Sequence, residues 1–232
     1  MMGILLRTRA AGDVEQMDRL DCDAELLDNT YRQFGVVNRA LSGWRRLYTK
    51  ELRTLAHPDQ RPITVLDIGS GGGDLAVMLA RWAHRDGKPL HVTGIDPDPR
   101  AAAFAGRRTP TPGVAFRQAH SGDLVREGSM FDVVISNHVL HHLQPGELAQ
   151  LLADSELLTR RKALHNDLIR SPAAFALFGV AALPFRKSFI REDGLTSIRR
   201  SYTRAELRAV APPGWSVEQS SAFHQVLAYR RG

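Results

Sequence analysis

The sequence predicts an α/β fold, a parallel sheet with helices on both faces. Three observations predict it. From residue 61 onward, short apolar runs alternate with helical stretches. The first run, ITVLDI (63–68), ends in a glycine-rich turn that opens a helix. Polar residues recur at the carboxyl ends of the runs: Asp67, Asp96, His120, Asp123, Ser136 and Asn137, then Asn166 and Asp167. Ligands of such sheets bind outside those ends.

The elements follow in order. Residues 1–60 are expected to form an N-terminal helical cap. DAELLDNTYRQFGVVNRALSGWRRLYTKELRTLA spaces apolar residues by three and four, with breaks at Gly35 and Gly43, and His57-Pro58 ends it. Residues 61–232 are expected to form the main domain. After ITVLDI, LAVMLARWAHRDG reads as a helix that stops at Gly87. LHVTGID (90–96) is the second strand, and DPRAAAFAGRR a helix. VAFRQAH (114–120) is the third strand and FDVVISN (131–137) the fourth. PGELAQLLADSELL is a helix, with Pro145 near its start, and RKALHNDLI (161–169) the fifth strand. TRAELRAVA is a helix, and the tail WSVEQSSAFHQVLAYRR reads as two strands meeting near Ala222 to His224. Residues 171–201 break the alternation and are too long for an ordinary connection. They are expected to be an inserted helical lid over the carboxyl end of the sheet.

Composition narrows the function classes. Of 232 residues, 43% are hydrophobic, enough for a sizeable core. Cys22 is the sole cysteine, which excludes an intramolecular disulfide and any Cys-rich metal site and fits a reducing cytoplasm. The apolar run in MMGILLRTRAAGD is too short for a secretory leader. The longest apolar run, Ala173 to Phe185, falls short of the ~20 residues that span a bilayer. A soluble, cytoplasmic protein is expected. The net charge of +6 is scattered in pairs and short clusters such as Arg45-Arg46 and Arg160-Arg161-Lys162. That pattern favours a solvated surface over a nucleic-acid patch.

The stretch VLDIGSGGGDLA (65–76) narrows the ligand. Gly69, Gly71 and Gly73 let the backbone turn tightly and present amides. A dinucleotide loop has glycine at its sixth position, where this chain has Asp74, and the P-loop pattern G-x-x-x-x-G-K-[ST] is absent. Acids on both sides of the loop, Asp67 and Asp74, would repel a pyrophosphate. S-adenosylmethionine carries a sulfonium, an ammonium and a ribose but no phosphate. Asp67 suits the ammonium, Asp96 the ribose hydroxyls and Asp123 the adenine amino group.

VLDIGSGGGDLA, VTGIDPDPRAAAFA, GDL and FDVVISNHVLHHL, in this order, resemble the successive motifs of class I S-adenosylmethionine-dependent methyltransferases. The resemblance covers about residues 60–170, and the tail in outline. It implies a Rossmann-like seven-stranded, mostly parallel sheet whose last strand is antiparallel beside the fifth. By motif match it implies a cofactor loop of Asp67, Gly69, Ser70, Gly71 and Gly73. It implies a ribose acid at Asp96 with Pro97, an adenine-side pair of Asp123 and Leu124, and a methionine-side pair of Asn137 and His138.

The proline-rich N/D-P-P-Y/F of amide and exocyclic nitrogen methylation is missing; Ser136-Asn137-His138-Val139 stands in its place. VLHHL (139–143), HNDLIRSP and REDGLTSIRRSYTRAEL resemble bacterial enzymes of quinone, polyketide and phenolic metabolism. The resemblance implies methyl transfer to an oxygen or carbon of a small aromatic or lipophilic acceptor. The alternatives are an RNA or protein methyltransferase, or a non-catalytic S-adenosylmethionine-binding protein. A phenol of pKa ~10 needs a base. His138, His141 and His142 are the candidates, and a helical turn there would aim only one of the adjacent pair inward, taken as His141. His120 and His165 read as structural. Tyr31, Arg32, Phe34, Asn38 and Trp44 line a pocket or, for Phe34 and Trp44 above all, pack the core. Arg199 and Arg200 read as surface arginines, with an acidic acceptor as the other reading. Ala173 to Phe185 is an apolar acceptor pocket, a peripheral membrane contact or plain core. No spacing of His, Asp and Glu suggests a dedicated metal site, so none is expected. The sequence leaves the oligomeric state open.

Overall fold

A seven-stranded sheet in the order β3-β2-β1-β4-β5-β7-β6 organises the computed structural model, which describes residues 6–232. The first five residues of the expected N-terminal cap lie outside the described residues. The strands are β1 (Ile63–Ile68), β2 (Leu90–Asp96), β3 (Val114–Gln118), β4 (Phe131–Asn137), β5 (Thr159–Leu168), β6 (Trp215–Gln219) and β7 (His224–Arg230). All neighbours pair in parallel except β7, which runs antiparallel to both β5 and β6. This is the Rossmann-like arrangement that the sequence implies.

The central strands read as continuous apolar runs because both of their faces are buried. Val65 and Val133 pack on one face with Trp44, Tyr48, Leu79 and Trp82. Their neighbours Leu66 and Val134 pack on the other face with Leu152, Leu158, Leu207 and Trp215. Successive side chains of a strand point to opposite faces, so one run serves two cores.

The helices are α1 (Ala24–Leu41), α2 (Trp44–Leu47, continued by a wider π turn over Tyr48–Leu52), α3 (Asp74–Arg85), α4 (Pro99–Gly106), α5 (Ser121–Arg126) and α6 (Pro145–Leu158). Then come α7 (Pro172–Ala181), α8 (Ile190–Arg200) and α9 (Arg204–Val210). Local chemistry starts most of them. Asp23 accepts from the Glu25 and Leu26 amides at the start of α1, and Asp98 caps α4 with Pro99 at the first position. Gln144 with Glu147 and Thr203 with Glu206 form reciprocal capping boxes at α6 and α9.

Three expectations need correction. Residues 6–23 form an extended strap with one 3-10 turn at Gln16–Asp18, not a helix. Its backbone is taken up elsewhere: the Gln16 and Met17 amides donate to the Asp193 carboxylate, and Ala10 N donates to Arg199 O. Arg9 donates to the carbonyls of Arg200 and His141, and Arg170 donates to that of Leu6. The third strand stops at Gln118, before His120, which instead precedes α5. The fifth begins at Thr159, because α6 runs straight into it.

Residues 171–201 supply α7 and α8, two helices packed on each other. They stand with α1 and the strap around the carboxyl ends of β1, β2, β4 and β5. Among the described residues, no helix is long and apolar enough to cross a membrane.

Candidate functional site

The turn after β1 is shaped for close approach. Gly69, Gly71 and Gly73 have φ of 69, 51 and 78°, a region that disfavours any side chain. A Cβ on Gly69 would lie 2.6 Å from Val139 Cγ2, and one on Gly73 would lie 2.3 Å from the Phe116 ring. The amides of Gly69 and Ser70 both donate to Ile95 O, which pins the loop to the end of β2. Gly71 N donates to Asp96 Oδ2 (2.8 Å), and Asp98 N donates to Asp96 Oδ1 (2.9 Å). The carboxylate of Asp96 is thereby fixed at the rim of a cavity of about 610 Å³. Gly69, Ser70, Gly71, Asp96 and Pro97 line that cavity; Gly73 shapes the turn from behind.

The acids at its base match a cation. Asp67 is 1% exposed and faces the cavity, and its Oδ2 has no hydrogen-bond partner. Burial, with Asp74 and Asp96 nearby, pushes its carboxyl well above the usual carboxylate range. Asp74 accepts from Asn38 Nδ2 (2.9 Å). An orphaned buried oxygen beside two further acids favours a positively charged ligand over a phosphate.

Asp123 and Leu124 stand elsewhere. The Asp123 carboxylate accepts from His120 N (2.8 Å), completing the capping box of α5, and pairs with Arg126. Leu124 is buried in the core face that includes Val134. Neither lines the cavity. An acid at the third position of a helix serves its own cap, and that local role absorbs Asp123.

Asn137 lines the cavity, but its amide is committed to the protein. Its Oδ1 accepts from Trp44 Nε1 (2.8 Å) and Asn166 Nδ2 (3.0 Å), and its Nδ2 donates to Asn38 Oδ1 (3.3 Å). This network ties α1 and α2 to the ends of β4 and β5. Trp44 is core, as its apolar body requires, while Tyr31, Phe34 and Asn38 line the cavity.

The histidines divide into two pairs. His138, at φ 59°, places Nε2 3.0 Å from Nε2 of His224, whose Nδ1 is 3.0 Å from Ser221 Oγ. Burial pushes His138 down to about 3 and His224 to about 4, so both rings are neutral. His141 and His142 lie in a 3-10 turn, with ring centroids 4.3 Å apart. Both face the cavity and both direct Nε2 at the same carboxylate, Glu15 Oε1, at 3.4 and 3.7 Å. The expectation that only one points inward fails: the single 3-10 turn does not continue as a helix, and Glu15, brought in by the strap, lies within reach of both rings. His141 N and Nδ1 bond to the two oxygens of Asp167 (2.8 and 2.7 Å). Burial opposes a charge on His141, but Asp167 and Glu15 outweigh it and hold its pKa at about 9. With no ion or ligand beside it, those carboxylates favour its protonated form at neutral pH. His120 is exposed, and His165 bonds Ser136 Oγ (2.8 Å) and stacks on Trp215.

Glu15, Asp18 and His224 are the site residues that sequence reasoning missed. Glu15 and Asp18 belong to the strap, which has no periodicity and no motif. Arg200, read as surface, is 6% exposed and lies 3.7 Å from Glu15 and 3.5 Å from Asp18. Arg199 pairs with Asp13. Away from the acids the cavity is apolar, walled by Val37, Leu41, Leu177, Phe178, Ala181 and Phe223.

Comparison with known proteins is consistent with this geometry. Residues 65–161 match the family described as "Methyltransferase domain". A ubiquinone biosynthesis O-methyltransferase of Cereibacter sphaeroides is 33% identical over 123 residues, covering 52% of this chain and 47% of that protein. A ribosomal protein L11 methyltransferase of Geobacter sulfurreducens is 34% identical over 126 residues, covering 51% and 39%. The chain thus spans about half or less of the length of these curated relatives. Among solved structures, the plantazolicin methyltransferase BpumL, in complex with a pentazolic desmethylPZN analog and SAH, has the same fold. Its TM-score is 0.61 at 13% identity, over 90% of this chain and 96% of that one.

Proposed function

We propose that the chain, whose residues 65–161 match a methyltransferase domain, is a class I S-adenosylmethionine-dependent methyltransferase that moves a methyl group from that cofactor to an oxygen or carbon of a small, lipophilic, aromatic or quinone-like acceptor. One observation carries the reading: a single cavity joins an acidic, glycine-loop end to an apolar end walled by α7 and α8. The acidic end has what this cofactor needs and a nucleotide diphosphate does not.

When bound, S-adenosylmethionine supplies an electrophilic methyl on a sulfonium. Asp67, unpartnered and buried, offers its carboxylate to the cationic amino-acid end. Asp96, with both oxygens oriented by backbone amides, presents its remaining lone pairs to a pair of ribose hydroxyls. Ser70 and the Gly71 region bring backbone close to the ligand. His138 and His224, neutral and bonded to each other, form a fixed polar patch beside the loop. The strap, α1, α7 and α8 exclude water and hold the acceptor near the methyl, which lowers the entropic part of the barrier.

The test has two stages. Titration calorimetry with S-adenosylhomocysteine should give saturable binding that Asp96→Ala weakens. Incubation with methyl-labelled cofactor and a panel of phenols, quinols and polyketide-like enols should then label a small molecule. Label appearing only in protein or RNA fractions would overturn the small-acceptor part. Binding without transfer to any fraction would favour a non-catalytic binding protein.

A further inference from the structure

We propose that Glu15, His141 and His142 form a binding site for a divalent transition-metal cation, with zinc(II) the best-matched ion, on the wall of the same cavity. The ligand atoms of the three side chains lie within 4.8 Å of one another. The Glu15 Oε1 separations, 3.4 Å to His141 Nε2 and 3.7 Å to His142 Nε2, are long for hydrogen bonds. They suit ligands that share an ion: two atoms each ~2.1 Å from a tetrahedral zinc are ~3.4 Å apart. His141 Nε2 has no hydrogen-bond partner although the residue is 1% exposed. A buried ring nitrogen aimed at a carboxylate without bonding it is a donor awaiting a partner.

The surroundings are those of ligands held for metal. His141 Nδ1 is fixed by Asp167 at 2.7 Å and His142 Nδ1 by Asp18 at 3.0 Å, so each ring turns Nε2 toward Glu15. Carboxylates behind imidazoles set the tautomer and raise ligand basicity in the same way at metal centres. Ser197 Oγ donates to Glu15 Oε1 (2.9 Å) and orients the third ligand. The charge also favours a cation. Glu15, Asp18 and Asp167 outnumber the guanidinium of Arg200 beside them, and an ion bound here would displace the proton that these carboxylates favour on His141.

Two histidines and one carboxylate, all lining the cavity, leave an open coordination position facing it. That position would take an acceptor oxygen and, where the acceptor carries a hydroxyl, would ease the loss of its proton. A metal-bound hydroxyl loses its proton to solvent more readily than a free one. This role rests on the methyl-transfer reading; the ion site does not.

The experiment titrates zinc chloride into chelator-stripped protein by calorimetry. Wild type should take up one ion per chain. Glu15→Gln and His142→Ala should each abolish saturable binding, and Asp167→Asn should weaken it by about 10–100-fold. His120→Ala, an exposed histidine elsewhere, should bind as wild type does. Circular dichroism on every variant confirms folding, and His142, the most exposed of the three ligands, is the variant least able to unfold the chain. Absence of saturable binding, or binding equal to wild type in both Glu15→Gln and His142→Ala, would overturn the site. S-adenosylhomocysteine is titrated into the same stripped protein. Its binding without zinc binding would sink the metal site alone, and zinc binding without it would sink the methyl-transfer reading alone.

Discussion

The indole of Trp44 donates from Nε1 to Oδ1 of Asn137 at 2.8 Å, joining the start of α2 to the end of β4. Trp44 is fully buried while Asn137 lines the cavity, so the donor end of the bond is shielded from water. Trp44→Phe keeps most of the apolar bulk and removes the donor. The expected loss is about 1–3 kcal/mol in urea unfolding. The cofactor-side wall should loosen as well, seen as weaker S-adenosylhomocysteine binding.

Asp96 is held by two backbone amides before any ligand arrives. Asp96→Ala removes both the proposed ribose contact and the anchor of Gly71. Affinity for S-adenosylhomocysteine should fall at least tenfold, about 1.4 kcal/mol, in calorimetry. An unchanged dissociation constant would mean that the ribose end of the cofactor lies elsewhere.

Asp67 makes a prediction about pH. Burial first, then Asp74 and Asp96, raise its folded-state pKa well above its unfolded value. The folded state therefore holds its proton where the unfolded state has lost it. Stability from this group is greatest below the unfolded pKa, ~3.9, and declines as pH climbs toward the folded value. Asp67→Asn removes that penalty. Without cofactor, it should melt at a higher temperature than wild type at pH 7–8, with the gap closing at low pH. With S-adenosylhomocysteine present the order should narrow or reverse, because the variant has lost the acid proposed to meet the cofactor's amino group.

Gly73 and Gly128 both have positive φ, at 78 and 67°, but only Gly73 is crowded, with Phe116 where a Cβ would stand. Nothing lies within 4 Å of a Cβ built on Gly128. Gly128→Ala should cost about 1–2 kcal/mol, the price of left-handed backbone alone. Gly73→Ala should cost more by about 1–3 kcal/mol of overpacking, measured by chemical denaturation. Equal losses would show that the Phe116 ring swings away freely.

The sheet was legible because each central strand is buried on both faces, so Val65-Leu66 and Val133-Val134 leave a continuous apolar run. The glycine loop and Asp96 were legible because close backbone approach and a strand-end acid both leave a local mark. Asp123 is ambiguous for a related reason: an acid after a strand looks the same whether it meets a ligand or caps a helix. The wall of the site was not legible. Glu15 and Asp18 reach the histidines through a strap with no periodicity, and Arg200 looks like any surface cation until its carboxylate neighbours are known. These contacts are long-range pairings, and a local pattern does not encode them.

The cavity wall is assembled from the two extremes of the described chain, with Glu15 from the strap and His224 from the first residue of β7. During synthesis, β1 to β5 can pair while the strap still has no α8 to lie on and His138 still has no ring to meet. A nascent chain can therefore pair its first five strands before the pocket wall is complete.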